Sequence, residues 1–184
     1  EILRFEKSDF RMSGALGIHL MKLGLPMAFQ NGIIAVGGMI VQSVVNGFGV
    51  LFIAGFTATN KLYGVLEVAA TSYGYAMVTY VGQNLGAKRM DRISSGMRSA
   101  LVVAMGTSAL IAAAMFLFGK LILGCFISGT PEDVAVTMDI AYFYLAVMSA
   151  FLPILYILHV VRSALQGMGD TFLPMLSGIA EFLM

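Results

Sequence analysis

Residues 100–118 read ALVVAMGTSALIAAAMFLF, nineteen positions without a charged side chain. At 1.5 Å per helical residue this stretch covers ~30 Å, the thickness of a bilayer's hydrocarbon core. Three stretches of the same character surround it, at about 24–45, 51–81 and 138–161, and a fifth opens at Thr171 and is still apolar at Met184. The composition agrees, with 59% hydrophobic and 11% charged residues and a mean hydropathy of +0.88. A soluble domain carries about twice that charged fraction. The fold class is therefore all-α: a polytopic membrane helix bundle with four complete transmembrane helices, at about 24–45, 51–81, 100–118 and 136–161, and the start of a fifth at 171–184. A lipid bilayer is the first partner this implies.

Outside the spans, the lead-in 1–23 mixes charge with apolar residues and carries no signal-type segment. Its second half, with Phe10, Leu16, Leu20 and Leu23 at near-helical spacing, reads as an interfacial segment that ends where the chain turns in at Pro26. With no initiator Met and an apolar last residue, the chain is expected to be a piece of a longer protein. A net charge of +1 makes no case for nucleic acid as a partner. The single cysteine, Cys125, excludes an intrachain disulfide, and His19 and His159 on different segments give no support for a metal site or cofactor.

Sidedness follows from the positive charges. Arg4, Lys7, Arg11 and Lys22 precede the first span, Lys88, Arg89, Arg92 and Arg98 lie between the second and third, and Arg162 follows the fourth. Only Lys120 falls on the other side, with Lys61 inside a span. Nine against one puts 1–23 and 82–98 in the cytoplasm and 46–50 and 119–135 outside, in a cell (inner) membrane.

The spans carry narrow polar stripes at helical steps of three and four. The first holds Asn31, Ala35, Gly38, Gln42 and Asn46; the second Thr57, Asn60, Gly64, Glu67, Thr71 and Gly74; the fourth Ser149, Pro153, Tyr156, His159, Ser163 and Gln166. Two readings compete. Small and weakly polar residues let membrane helices approach closely, which suits Gly38, Gly64, Gly74 and Ser163. Alternatively the stripes line a water-accessible cavity through Gln42, Asn60, Glu67 and either Tyr156 or His159. Glu67 favours the cavity, because an ionisable group in hydrocarbon costs at least ~2.5 kcal/mol and is by default functional or paired. Lys61 reads as an interfacial anchor. It lies six positions from Glu67, outside the reach of same-helix pairs, so the partners of both come from other helices or water. His159, three residues before Arg162, reads as an interfacial histidine rather than a proton relay.

Two short motifs mislead. Gly82-Gln-Asn-Leu-Gly-Ala-Lys88 lacks the spacing and the Lys-Ser/Thr pair of a phosphate-binding loop. Gly167-Met-Gly-Asp170 matches the Gly-x-Gly-Asp signature of intramembrane aspartyl proteases, but that chemistry needs two carboxyls sharing a proton, and Asp139 sits at the opposite end of its helix. An enzyme is not expected.

The same two segments carry a resemblance. Val81-Gly-Gln-Asn-Leu-Gly-Ala-Lys-Arg89 with Asp91 and Arg92, and Ser163-Ala-Leu-Gln-Gly-Met-Gly-Asp-Thr171 with Pro174, resemble the two cytoplasmic turns in one lobe of the multidrug and toxin extrusion (MATE) family. Leu23-Gly-Leu-Pro-Met27 with Gln30 and Asn31 is similar to the first helix of such a lobe. The resemblance implies two six-helix lobes, with 1–23 as the inter-lobe linker and 24–184 as a partial C-terminal lobe whose partner is the N-terminal lobe of the same protein. It implies export of amphipathic, often cationic small molecules by alternating access, driven by Na+ or H+ with no other cofactor. The acid that some branches carry in the first helix is absent around Ile34 and Val41-Gln42, and that of the fourth falls near Leu155. The coupling-cation site is then expected in the other lobe, with Glu67 the one candidate for ion coupling here. Gln42, Asn60 and Glu67 line the expected substrate path, and Tyr156 offers an aromatic face to a cation. A lipid-linked precursor flippase of the same superfamily and a non-transporting membrane scaffold are the alternatives. The fragment alone is expected to be inactive.

Overall fold

The computed structural model describes residues 13–183, and within them every regular element is helical. Helix α1 spans Gly14–Val45, α2 Val50–Gly86, α3 Met90–Leu123, α4 Pro131–Gly167 and α5 Phe172–Leu183, with one 3-10 turn at Asn46–Phe48. Among the described residues three helices are long and apolar enough to cross a membrane: α1 with its following turn, α3 and α4. Helix α2 equals α4 in length, at 37 residues, but Asn60, Lys61 and Glu67 interrupt its apolar run. The chain is a multi-pass, all-α membrane protein.

The helices are longer than the apolar stretches that announce them. Segment 82–98, expected as a loop, shrinks to 87–89 between α2 and α3, and 119–135 shrinks to 124–130 between α3 and α4. Hydropathy marks the part of a helix that lipid covers; its polar ends are held by capping instead. Thr130 caps α4, accepting a hydrogen bond from the Asp133 amide at 3.3 Å, with Pro131 in the first turn. The largest correction concerns α1. It does not begin near residue 24 but runs unbroken from Gly14 through Pro26. The proline removes one donor, and the Lys22 carbonyl it frees lies on an exposed turn where water can bond it. The part of the expected interfacial lead-in within residues 1–12, including Arg4, Lys7 and Arg11, lies outside the described residues.

Helices α2 and α4 form the centre and run in the same direction. Their seam joins Ala58, Leu62, Leu66, Ala70, Met77 and Val81 to Ala141, Leu145, Leu152, Tyr156, Val160 and Ala164, all buried. Small residues set the approach. A Cβ on Gly74 would stand 2.7 Å from Ser163 Oγ, and one on Gly167 2.8 Å from the Val78 carbonyl. Buried polar groups bond across the seam: Thr59 donates to the Ala141 carbonyl at 2.8 Å and Tyr156 to that of Leu66 at 3.0 Å. Helix α3 closes one side, with Tyr73 and Thr107 sharing a hydrogen bond of 2.8 Å. Helix α1 packs on α5 and barely touches α2.

Both turns that carried the family resemblance are helix C-caps of one kind. After α2, Arg89 N–H donates to the Asn84 carbonyl and Lys88 N–H to that of Leu85; after α4, Asp170 N–H donates to Leu165 and Gly169 N–H to Gln166. This is the Schellman arrangement, which needs one left-handed residue. Gly169 supplies it at φ 85°, and Lys88 does so at φ 57° without the glycine's freedom. The residues beyond each cap are engaged as well. Arg89 binds Asp91 through two hydrogen bonds, 3.0 and 3.1 Å, which hold the Asp91 carboxyl below its ordinary range. Asp170 Oδ1 accepts from the amides of Phe172 and Leu173 and so starts α5. Its Gly-x-Gly-Asp signature is thus a turn between two helices, with the carboxylate occupied by backbone.

Candidate functional site

Among the cavities formed by the described residues, two neighbour each other along α2 and α4. The outer one, about 570 Å³, lies beside the start of α2 and is walled by Phe48, Phe52, Phe56 and Phe143, with Asp139 among its lining. The inner one, about 620 Å³, lies among α1, α2, α4 and α5. Phe56 and Tyr144 belong to both and stack at 5.0 Å between ring centres, so one aromatic pair separates the two chambers.

Gln42 and Asn60, from different stripes, both line the inner cavity. Gln42 sits one turn before Asn46, to whose side-chain oxygen it donates at 2.9 Å. Asn60 accepts from the Tyr144 hydroxyl at 3.3 Å, which fixes its amide at the wall. Gly38 faces the same space with nothing within 4 Å of where a Cβ would be, whereas Gly74 and Ser163 pack on each other. The two readings of the stripes therefore divide by position. On α2 the buried seam is Ala58, Leu62, Leu66 and Ala70, and Asn60, Gly64 and Glu67 stand to one side of it.

Tyr156 is elsewhere. It is fully buried in the α2–α4 seam, its ring 6.0 Å from that of Tyr73, and presents no face to either cavity. Ser149 and Tyr156 share a stripe with His159, but they lie on the side of α4 that meets α2, which a repeat of three and four cannot distinguish from its neighbour 40–60° away.

Glu67 lies one turn past Tyr63, itself a lining residue, with its side chain 43% exposed. The titratable group facing it is His159 of α4, Nε2 to Oε1 3.9 Å. His159 is thus turned inward against α2. Arg162, counted above as a cytoplasmic charge, is also drawn in: its side chain is 12% exposed and Nη2 donates to Glu181 of α5 at 2.9 Å. With Arg162 removed, the charge asymmetry becomes eight to one and keeps its sign. Glu181 lines the inner cavity and was not singled out from the sequence. Part of a signal existed: α4 and α5 are joined by the 168–171 turn, which sets Arg162 opposite Ser177, and the long arginine reaches one turn further to Glu181.

The cavity is mostly apolar, with two amides, two phenols and one carboxylate converging on it. This is the general composition of a small-molecule site. The Arg162 guanidinium beside it is already bonded to Glu181.

Comparison with known proteins agrees. The MatE family model matches residues 26–184, which contain both caps, the stripes and both cavities. Probable multidrug resistance protein YpnP of Bacillus subtilis (strain 168) is 31% identical over 150 residues, 79% of this chain and 32% of its own length. Probable multidrug resistance protein YoeA of the same organism is 24% identical over 129 residues, 68% of this chain and 28% of its own. The chain spans about a third of the length of these relatives. A family match over most of the sequence, taking in both of the turns that carry the resemblance, establishes that this chain belongs to the MatE family.

Proposed function

We propose that this chain is part of a secondary active exporter of amphipathic, often cationic compounds, working by alternating access with a second lobe of the same protein. The observation that carries the reading is the inner cavity: apolar walls, the amides of Gln42 and Asn60, and the Glu181 carboxylate. With Glu181 already paired to Arg162, such a chamber suits a ligand with a greasy body and a hydrogen-bonding end, and the rings of Phe56, Tyr63 and Tyr144 offer faces to a positive one. The names of the two Bacillus relatives, both probable multidrug resistance proteins, support it. A flippase for pyrophosphate-linked lipids needs exposed cations at the site, and Arg162 is instead paired with Glu181. A pure scaffold would close its stripes by packing, whereas Gly38 and Gly64 have no neighbour within 4 Å of an added Cβ. The membrane orientation, with the 87–89 turn cytoplasmic, and the coupling of transport to Na+ or H+ are parts of the same proposal.

The test uses the complete protein that carries this chain, reconstituted in liposomes with ethidium as the exported cation. Gly38→Phe directs a ring into the cavity from a position where its Cβ meets no neighbour within 4 Å. It should lower ethidium export at least tenfold at unchanged expression and elution volume. Export at the wild-type rate would remove the inner cavity from the substrate path.

A further inference from the structure

Below the inner cavity, four helices bring their polar groups to one place. Arg162 of α4 has its donors engaged: Nη2 to Glu181 at 2.9 Å, Nε to Ser177 Oγ at 3.0 Å, and Nη1 and Nε toward the Gln30 side-chain oxygen of α1 at 3.2 and 3.1 Å, in the amide orientation that faces this oxygen to the guanidinium. Gln30 is 3% exposed, so the arrangement is built into the packing. Arg162 and Glu181 cancel each other's charge. Glu67 is left over, and the group facing it is the His159 imidazole at 3.9 Å, too far for a hydrogen bond as it stands. The other ring nitrogen, Nδ1, is buried with no protein partner.

The charge count decides what the pair lacks. With neutral imidazole the cluster sums to −1, from Glu67 and Glu181 against Arg162. One monovalent positive charge brings it to zero, the state a membrane interior favours. Among the described residues no three His, Cys, Asp or Glu side chains converge on a point as a metal site would require. A hard cation also calls for a shell of oxygens, whereas here one carboxylate faces a nitrogen base. The titratable groups nearest the pair on α2 and α4 are phenols: Tyr63 one turn before Glu67, Tyr73, bonded to Thr107, and Tyr156, bonded to the Leu66 carbonyl. Lys61 is exposed, six positions from Glu67, and Glu132, Asp133 and Asp139 lie toward the other end of α4. From α5 comes Glu181, already paired, and from α1 only the amide of Gln30.

We infer that Glu67 and His159 form a single-proton site, and that the proton held there is the coupling ion. A proton entering from one side is shared between Glu67 Oε1 and His159 Nε2, closing the 3.9 Å gap between the two side chains and neutralising the cluster. Its departure to the other side restores the net −1 and opens the pair. The site's use in coupling rests on the exporter reading; its existence does not.

The complete protein, labelled with ¹⁵N-imidazole histidine and held in nanodiscs, tests the site directly. The His159 signal is identified by its loss in His159→Gln, and its titration is followed by NMR. Glu67→Gln should weaken proton binding at His159 at least tenfold, Glu67→Asp should weaken it less, and the remote Asp139→Asn should leave it within twofold. A His159 midpoint unmoved by Glu67→Gln, or moved equally by Asp139→Asn, overturns the site. In liposomes, ethidium export should follow an imposed pH gradient and fall at least tenfold in His159→Gln. Export driven by a sodium gradient with no response to pH overturns the coupling role. Absence of ethidium export under either gradient counts against the exporter reading, and the titration still decides the site.

Discussion

Single residues at the two caps show how backbone conformation and chemistry coincide. Lys88 holds a left-handed φ of 57° that costs a side-chain-bearing residue about 1–2 kcal/mol. Lys88→Gly should therefore raise stability by about 1 kcal/mol, and Gly169→Ala should lower it by a similar amount, both read as thermal midpoints in detergent. Failure of Lys88→Gly to stabilise would mean that the lysine makes a compensating contact with the headgroups. The sequence made Asn60 and Gln42 legible as cavity residues because polar groups at helical spacing in hydrocarbon have few other uses. It did not make Tyr156 legible, since a tyrosine hydroxyl is satisfied as well by the Leu66 carbonyl in a core as by a ligand in a cavity. Arg162 was misleading for a related reason. Position in the chain puts it at the membrane boundary, but a long side chain chooses its own depth, and Glu181 draws it inward.

At the level of elements, α2 and α4 depend on small residues where their backbones meet. Gly74→Ile must push Ser163 aside from 2.7 Å, an overpacking that should cost about 1–3 kcal/mol. Gly38→Ala, with open space around it, should hold or gain stability, so the pair separates packing glycines from cavity glycines in one melting experiment. Equal losses from both would mean that α1 packs against a surface absent from these five helices. The apolar stretches foretold which helices exist and their order. They placed the ends 5–10 residues short at several points because a capped helix continues into water, as α3 does from Met90 to Asp91 and Arg92. Pro26 was read as a boundary because proline ends helices in water more often than it kinks them. In α1 the helix continues on both sides of it.

For the whole molecule, sidedness is the property most open to a direct check. A cysteine at Ser94, on the exposed first turns of α3, should react only with reagents that cross the membrane, while native Cys125, also exposed, should be blocked from outside in sealed cells. Labelling of position 94 by an impermeant maleimide would invert the topology. The way the five helices divide, with α2, α3 and α4 in one body and α1 resting on α5, also bears on how the protein is made. Of these five helices translation delivers α1 to the membrane first, yet the helix it packs on starts only at Phe172. At ~5–20 residues per second, the interval is on the order of 6–25 s. During that time the α2–α4 body can form, while α1, with its Gln30 amide turned toward an Arg162 not yet synthesised, must wait beside it in the lipid or against the insertion machinery. Assembly of these five helices is thus one in which the earliest made is among the last to be seated.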